Sequence, residues 1–183
     1  MNTEVSRRSF MKLSASSAAA ISVGASTTLM TGCARQPDNS LGLTFLTKDD
    51  ADFIEAIAPV VLNKSYPASL SPEDAGERLV KAVDALINTL GEHSKTQLSQ
   101  LFTLMSSAPL RLAVGAPFAS WPDASAEDVE SFLVSWRNSM MGIKNMGYAS
   151  LCKILSICWY SQPETFALSG YPGLPKKIPT PVS

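Results

Sequence analysis

Residues 71–91 read SPEDAGERLVKAVDALINTLG, and this stretch decides the fold class. A capping serine, a proline at the first helical position and two acids in the first turn form a strong helix start. The large aliphatic residues that follow, at spacings of four, three and four, are Leu79, Val83, Leu86 and Leu90. This spacing places them on one face, and a closing glycine is a typical helix end. The stretch therefore predicts an amphipathic α-helix.

Comparable patterns occur on both sides of this stretch. Thr47 with an acid three residues later resembles a capping box, and so does Ser125. We expect two further helices to begin at Ser94 and near Ile143, and Pro59 to kink or interrupt the first helix. No window shows sustained period-two alternation. The sequence thus predicts an all-α, single bundle of about five main helices with short connections.

The chain divides into four segments. We expect a cleaved or flexible signal segment at 1–32, a short polar linker at 33–43, a helical domain at 44–175 and a flexible tail at 176–183. With 183 residues, of which 45% are apolar and 17% charged, the chain has room for one domain with a buried core. Its net charge of -1 offers no pull toward nucleic acid.

The inventory of reactive residues is short. The chain has one histidine and three cysteines, too few for a zinc site of several His and Cys ligands. It contains no C-x-x-C-H, C-x-x-C or G-x-G-x-x-G stretch and no phosphate-binding loop. Cys152 and Cys158 are six apart on one predicted helix, too far for a disulfide. These observations argue against an enzyme acting alone, and we expect no cofactor, no metal site and no catalytic residue in this chain.

Several residues with chemical potential have simpler interpretations. His93, near the start of a predicted helix, is typical of a surface or capping residue. The acidic residues at 49, 50 and 52 lack the glycine and terminal glutamate of a calcium loop, so they indicate a solvated helix start. The methionines at 140, 141 and 146 are most simply flexible core filling.

The amino terminus carries an export pattern. Ser6, Arg7, Arg8, Phe10 and Lys12 match the S-R-R-x-F-x-K pattern of a twin-arginine signal. The charge-free run at 13–34 is long enough to cross a bilayer, but small residues dominate it and its few bulky residues favour insertion only weakly. This profile is typical of a cleaved segment.

The end of that run offers two processing sites. Residues 29–33 read LMTGC and resemble a lipobox, with methionine where leucine is usual. In that case Cys33 is acylated and tethers the mature chain to a membrane surface. The alternative is ordinary cleavage at a small-residue site such as 23–25.

Aromatic residues gather in the carboxyl-terminal part of the chain. The spacing of the tryptophans fits the core, whereas the two tyrosines flank a Pro-bounded turn and are expected near the surface, where tyrosine is favoured in interfaces. The candidate partner-binding residues are Trp136, Arg137, Trp159, Tyr160, Tyr171, Pro172 and Gly173.

Three short motifs carry a family resemblance. In order they are S-W-R at 135–137, W-Y-x-x-P at 159–163 and G-Y-P-G at 170–173. Together with the twin-arginine start and the helix from Leu46 to Leu62, they make the chain resemble the gluconate 2-dehydrogenase subunit 3 family over about 44–175. Leu174 departs from the family, which often has a second proline there, and the lipobox is a further departure.

The resemblance implies a non-catalytic small subunit. Its partner would be an FAD-dependent dehydrogenase of the glucose-methanol-choline type, acting on a sugar, polyol or alcohol, often with a multihaem cytochrome c as electron acceptor. The small subunit would help the large one mature and carry the signal to the twin-arginine translocase for both. We therefore expect a periplasmic, membrane-associated location.

The export route supports the same expectation independently, because it moves proteins that have already folded, which suits partners that must first acquire a cofactor. Two alternatives remain. The chain is either an independent periplasmic lipoprotein, acting as a ligand-binding or scaffold module, or a stand-alone enzyme.

Overall fold

The computed structural model describes residues 35–173, and this part of the chain consists of helices and their connecting turns and loops, with no β-strand. The α-helices are α1 (Lys48–Leu62), α2 (Pro72–Asn88), α3 (Glu92–Ser106), α4 (Ala108–Ala113), α5 (Ala126–Arg137), α6 (Gly142–Tyr160) and α7 (Phe166–Ser169). Single 3-10 turns lie at Asn63–Ser65, Trp121–Asp123 and Pro163–Thr165. Five of the helices have twelve residues or more. The predicted all-α fold with about five main helices is confirmed.

Hydroxyl side chains fix the starts of three helices. The Thr47 hydroxyl accepts from the backbone N–H of Asp50, and the Asp50 carboxylate accepts from the backbone N–H of Thr47, which completes the predicted capping box. The Ser71 hydroxyl accepts from the backbone N–H of Asp74 and so caps α2, but the Asp74 carboxylate binds the serine hydroxyl rather than the cap backbone. At Ser125 the box is incomplete, because the Asp128 carboxylate binds the serine hydroxyl rather than the cap backbone.

Two local predictions need correction, because Pro59 does not interrupt the first helix and the third helix does not begin at Ser94. The helix α1 continues through Pro59 to Leu62. Pro59 is exposed and lies in the last turn of α1. Because proline has no backbone N–H, the helix loses only one intrahelical hydrogen bond there. The helix α3 begins at Glu92 rather than Ser94, since Gly91 takes the extended N-cap conformation. Gly91 therefore starts the third helix instead of ending the second.

The helix α1 lies at the centre of the bundle. It packs against α2, α3, α5 and α6, and its side chains at Phe53, Ile54, Ile57 and Ala58 are fully buried. Phe53 meets Phe102 of α3 edge-on and lies 4.8 Å, between ring centroids, from Trp121. The Trp121 indole N–H donates to the carbonyl of Met105 at 2.7 Å. The core is thus a continuous aromatic and aliphatic layer around α1.

A buried carboxylate holds the segment before α1 against α2. Asp84 accepts from the backbone N–H groups of Thr44, Phe45 and Leu46 at 2.9–3.1 Å and from the Thr44 hydroxyl at 2.9 Å. Burial of this carboxylate raises its pKa, but the backbone hydrogen bonds outweigh burial and leave the pKa below its ordinary value. Asp84 is therefore a charged anchor inside the fold.

Residues 38–43, which the polar composition placed in the linker, fold as part of the helical body. The N–H of Asp38 donates to the carbonyl of Leu46, and the N–H of Leu43 donates back to the carbonyl of Asp38. Leu43 is buried in the core. Composition alone missed this turn because one leucine anchors an otherwise polar segment.

Candidate interaction surface

The G-Y-P-G motif forms a tight turn that presents Tyr171. Gly170 ends α7 with a φ of 69°, a left-handed conformation that favours glycine. The backbone N–H of Tyr171 then donates to the carbonyl of Phe166 at 3.0 Å, and the Tyr171 ring meets the Phe166 ring edge-on at 5.0 Å. Tyr171 and Pro172 remain exposed, and Gly173 is half-buried. The turn therefore holds an exposed aromatic side chain in one orientation.

The W-Y-x-x-P motif divides between core and surface. Trp159 is fully buried, its indole N–H donates to the carbonyl of Ser65 at 3.1 Å, and its ring packs on Tyr66. Tyr160, the next residue, is 41% exposed. The helix α6 ends at Tyr160, and Pro163 begins a 3-10 turn that leads directly into α7. In this motif, only Tyr160 offers an aromatic surface to a partner.

The S-W-R motif divides in the same way. The Trp136 side chain is buried, and its indole N–H donates to the carbonyl of Val114 at 3.1 Å. A Cβ atom at Gly147 would lie 2.6 Å from the Trp136 ring, so α6 needs glycine there to pack against α5. Arg137 is exposed. Trp136 thus joins α5 to α6, and Arg137 faces outward.

A small cleft opens beside Arg137. Its volume is about 140 Å³, and its apolar lining comes from Val60, Val61, Leu133 and Val134. Its polar lining comes from Glu130, Arg137, Tyr148 and Cys152. Interaction with Cys152, together with burial, raises the pKa of Tyr148, and Arg137 opposes this effect. The cleft is smaller than the roughly 300–1,000 Å³ of typical small-molecule sites.

The methionines predicted to fill the core are on the surface instead. Met140 is fully exposed, and Met141 and Met146 are largely so. Ile143, at the start of α6, is 72% exposed, and Phe118, in the loop after α4, is 88% exposed. Sequence reasoning missed the exposure of Ile143 and Met146 because α6 carries apolar residues on several sides, and periodicity alone does not tell which side faces solvent.

The cysteines of the described chain are not paired with each other. Cys158 is buried, and burial raises the pKa of its thiol to about 11. Cys152 is half-buried at the cleft. Among residues 35–173, no three His, Cys, Asp or Glu side chains are grouped to hold a metal ion. Over the same range, no helix is long and apolar enough to cross a bilayer.

The predicted export and lipidation residues lie outside the described part of the chain, as does the tail at 176–183. They are Ser6, Arg7, Arg8, Phe10, Lys12 and Cys33. Their roles stay predictions from the sequence.

Neither a family model, nor a curated protein, nor a solved structure matches this chain. The resemblance to the gluconate 2-dehydrogenase subunit 3 family therefore rests on the sequence motifs alone.

Proposed function

We propose that this chain is a non-catalytic small subunit that escorts and stabilises a folded FAD-dependent dehydrogenase and supplies its export signal. The observation that carries the proposal is the pair of exposed apolar side chains beside the G-Y-P-G turn, Leu168 and Tyr171, in a chain that begins with a twin-arginine pattern. Exposed apolar side chains that are grouped together are typical of surfaces that another protein or a membrane covers. A subunit that travels with a partner needs such a surface.

The G-Y-P-G turn is the proposed anchor for the dehydrogenase. Tyr171 is exposed but held by the Phe166 ring and by a backbone hydrogen bond. A side chain that is fixed before binding loses little conformational freedom in the complex. Leu168, one turn earlier, is 56% exposed and extends the apolar area. The exposed neighbours Pro172 and Arg137 are further candidate contacts.

Replacing Tyr171 with alanine is expected to weaken the complex by about 2 kcal/mol or more, roughly thirty-fold in Kd. The measurement is co-purification of the tagged chain with a co-expressed FAD-dependent dehydrogenase from the same organism, followed by flavin absorbance. The matched control is Tyr171→Phe, which keeps the ring and should retain the flavoprotein. Circular dichroism checks that both variants fold.

Two results would count against the proposal in different ways. If the unmodified chain retains no flavoprotein, the escort function fails. If the chain retains a flavoprotein and folded Tyr171→Ala retains it equally well, the partner binds elsewhere on the surface.

A further inference from the structure

Within residues 35–173 the longest helix is α6, and it carries large apolar residues on a second side, which is exposed to solvent. Leu151, Leu155, Cys158 and Trp159 are buried against the neighbouring helices. On the solvent side lies a line of exposed residues, here called the outer stripe: Ile143, Met146, Ser150, Lys153, Ile157 and Tyr160. Their spacings of three and four residues alternate, as at the contact positions of a two-stranded coiled coil. A solvated helix face is normally polar, so this stripe has the pattern of a helix–helix contact.

The outer stripe is symmetric about its own centre. From its first residue the stripe reads Ile143, Met146 and Ser150, and from its last residue it reads Tyr160, Ile157 and Lys153. Both orders give two large, mainly apolar residues and then a polar one. In an antiparallel pair of α6 helices, Ile143 would face Tyr160 of the second copy, and Met146 would face Ile157. A two-fold contact requires that one surface be complementary to itself. This stripe meets that requirement, and an unrelated partner would not demand it.

The side of the stripe also permits a close approach. Gly142, Ala149 and Ser156 follow each other at intervals of seven residues along one edge of the stripe. None of them has a bulky side chain, so two helices can lie side by side there without a clash. Lys153 would face Ser150 of the second copy, with its aliphatic stem on apolar surface and its ammonium group in solvent.

We propose that a second copy of this chain docks antiparallel along the outer stripe and forms a two-fold homodimer. The inference does not rest on the proposed escort function, and it places Tyr160 in the dimer contact. The helix α6 has 19 residues and is thus about 28 Å long. One helix pair of this length falls at the small end of stable interfaces, so we expect dissociation in the micromolar range.

Sedimentation of the full chain over micromolar concentrations tests the dimer. We expect a concentration-dependent dimer, which Ile157→Asp converts to monomer and Lys153→Leu tightens, because these changes add and remove a charge at the contact. Gln97→Asp, on the exposed side of α3, is the matched control and should sediment like the unmodified chain. Circular dichroism verifies the folding of each variant.

A monomer at every concentration would overturn the proposal. So would a dimer that folded Ile157→Asp leaves intact, since association would then use another surface.

Disulfide trapping tests the antiparallel orientation. With Cys33 and Cys152 replaced by serine, the double variant Met146→Cys and Ile157→Cys should form a cross-linked dimer on oxidation. The two positions are eleven residues apart on one helix, or about 16 Å, too far for a bond within one chain. Cys158 can stay, because its buried, protonated thiol is unreactive at neutral pH.

Each single-cysteine variant should remain uncross-linked, because antiparallel packing keeps equivalent residues apart. A cross-link in either single variant, or none in the double variant, would contradict the antiparallel arrangement.

Discussion

Replacing Trp159 with alanine is expected to lower the free energy of unfolding by about 3–5 kcal/mol. The side chain is fully buried, so truncation leaves a cavity between α6 and the turn after α1. It also removes the indole donor from the carbonyl of Ser65 and the ring contact with Tyr66. Urea unfolding followed by circular dichroism measures the loss.

The neighbouring residue supplies the control for this prediction. Tyr160→Ala removes a comparable aromatic ring from the same helix, but on its exposed side. We expect its stability to change by about 0.5 kcal/mol or less, measured at concentrations where the chain is monomeric. Similar losses for the two variants would show that Trp159 is not the core residue described here.

Replacing Asp84 with alanine is expected to lower the free energy of unfolding by about 3 kcal/mol. Three backbone N–H groups and one hydroxyl donate to this carboxylate, which is only 6% exposed. Hydrogen bonds to a charged group contribute about 1.5–3 kcal/mol, and buried donors left without a partner are costly. Glu77→Ala, in the same helix but in an exposed pair with Lys81, should change stability by less than about 1 kcal/mol.

The same carboxylate predicts a pH dependence. Because the pKa of Asp84 is lower in the folded chain than its ordinary value of 3.8, its charge stabilises the fold fully above that pH. The contribution is lost as the pH falls through the folded-state pKa. The stability difference between the unmodified chain and Asp84→Asn should therefore be constant from pH 7 to about pH 5 and shrink in stronger acid. If the stability difference between the two proteins were constant at all pH values, the loss in Asp84→Asn would come from the shape of the side chain and not from its charge.

Local signals in the sequence predicted the helices well. Thr47 and Ser71 cap helices where the pattern places them, because a cap depends on residues within one turn. Gly91 was misassigned, since a glycine can end one helix or begin the next. The segment before α1 could not be predicted, because its anchor at Asp84 is about forty residues away.

The surface was harder to predict than the fold. Trp136 and Trp159 belong to motifs that suggested a partner, yet both indoles bind backbone carbonyls inside the bundle. The close approach of Gly147 to the Trp136 ring is a tertiary contact that no local pattern encodes. Ile143 and Met146 are apolar residues on a helix with large apolar residues on two sides, and only packing decides which side is buried.

The most direct test of the central proposal is the location of the dehydrogenase when only this chain's signal is changed. In the double variant Arg7→Lys and Arg8→Lys, the account predicts that flavoprotein activity moves from the periplasm to the cytoplasm. Arg78→Lys, an equally conservative change in the helical body, should leave the activity periplasmic. If the dehydrogenase still reaches the periplasm in the double variant, this chain does not carry its export signal and the proposed escort role is contradicted.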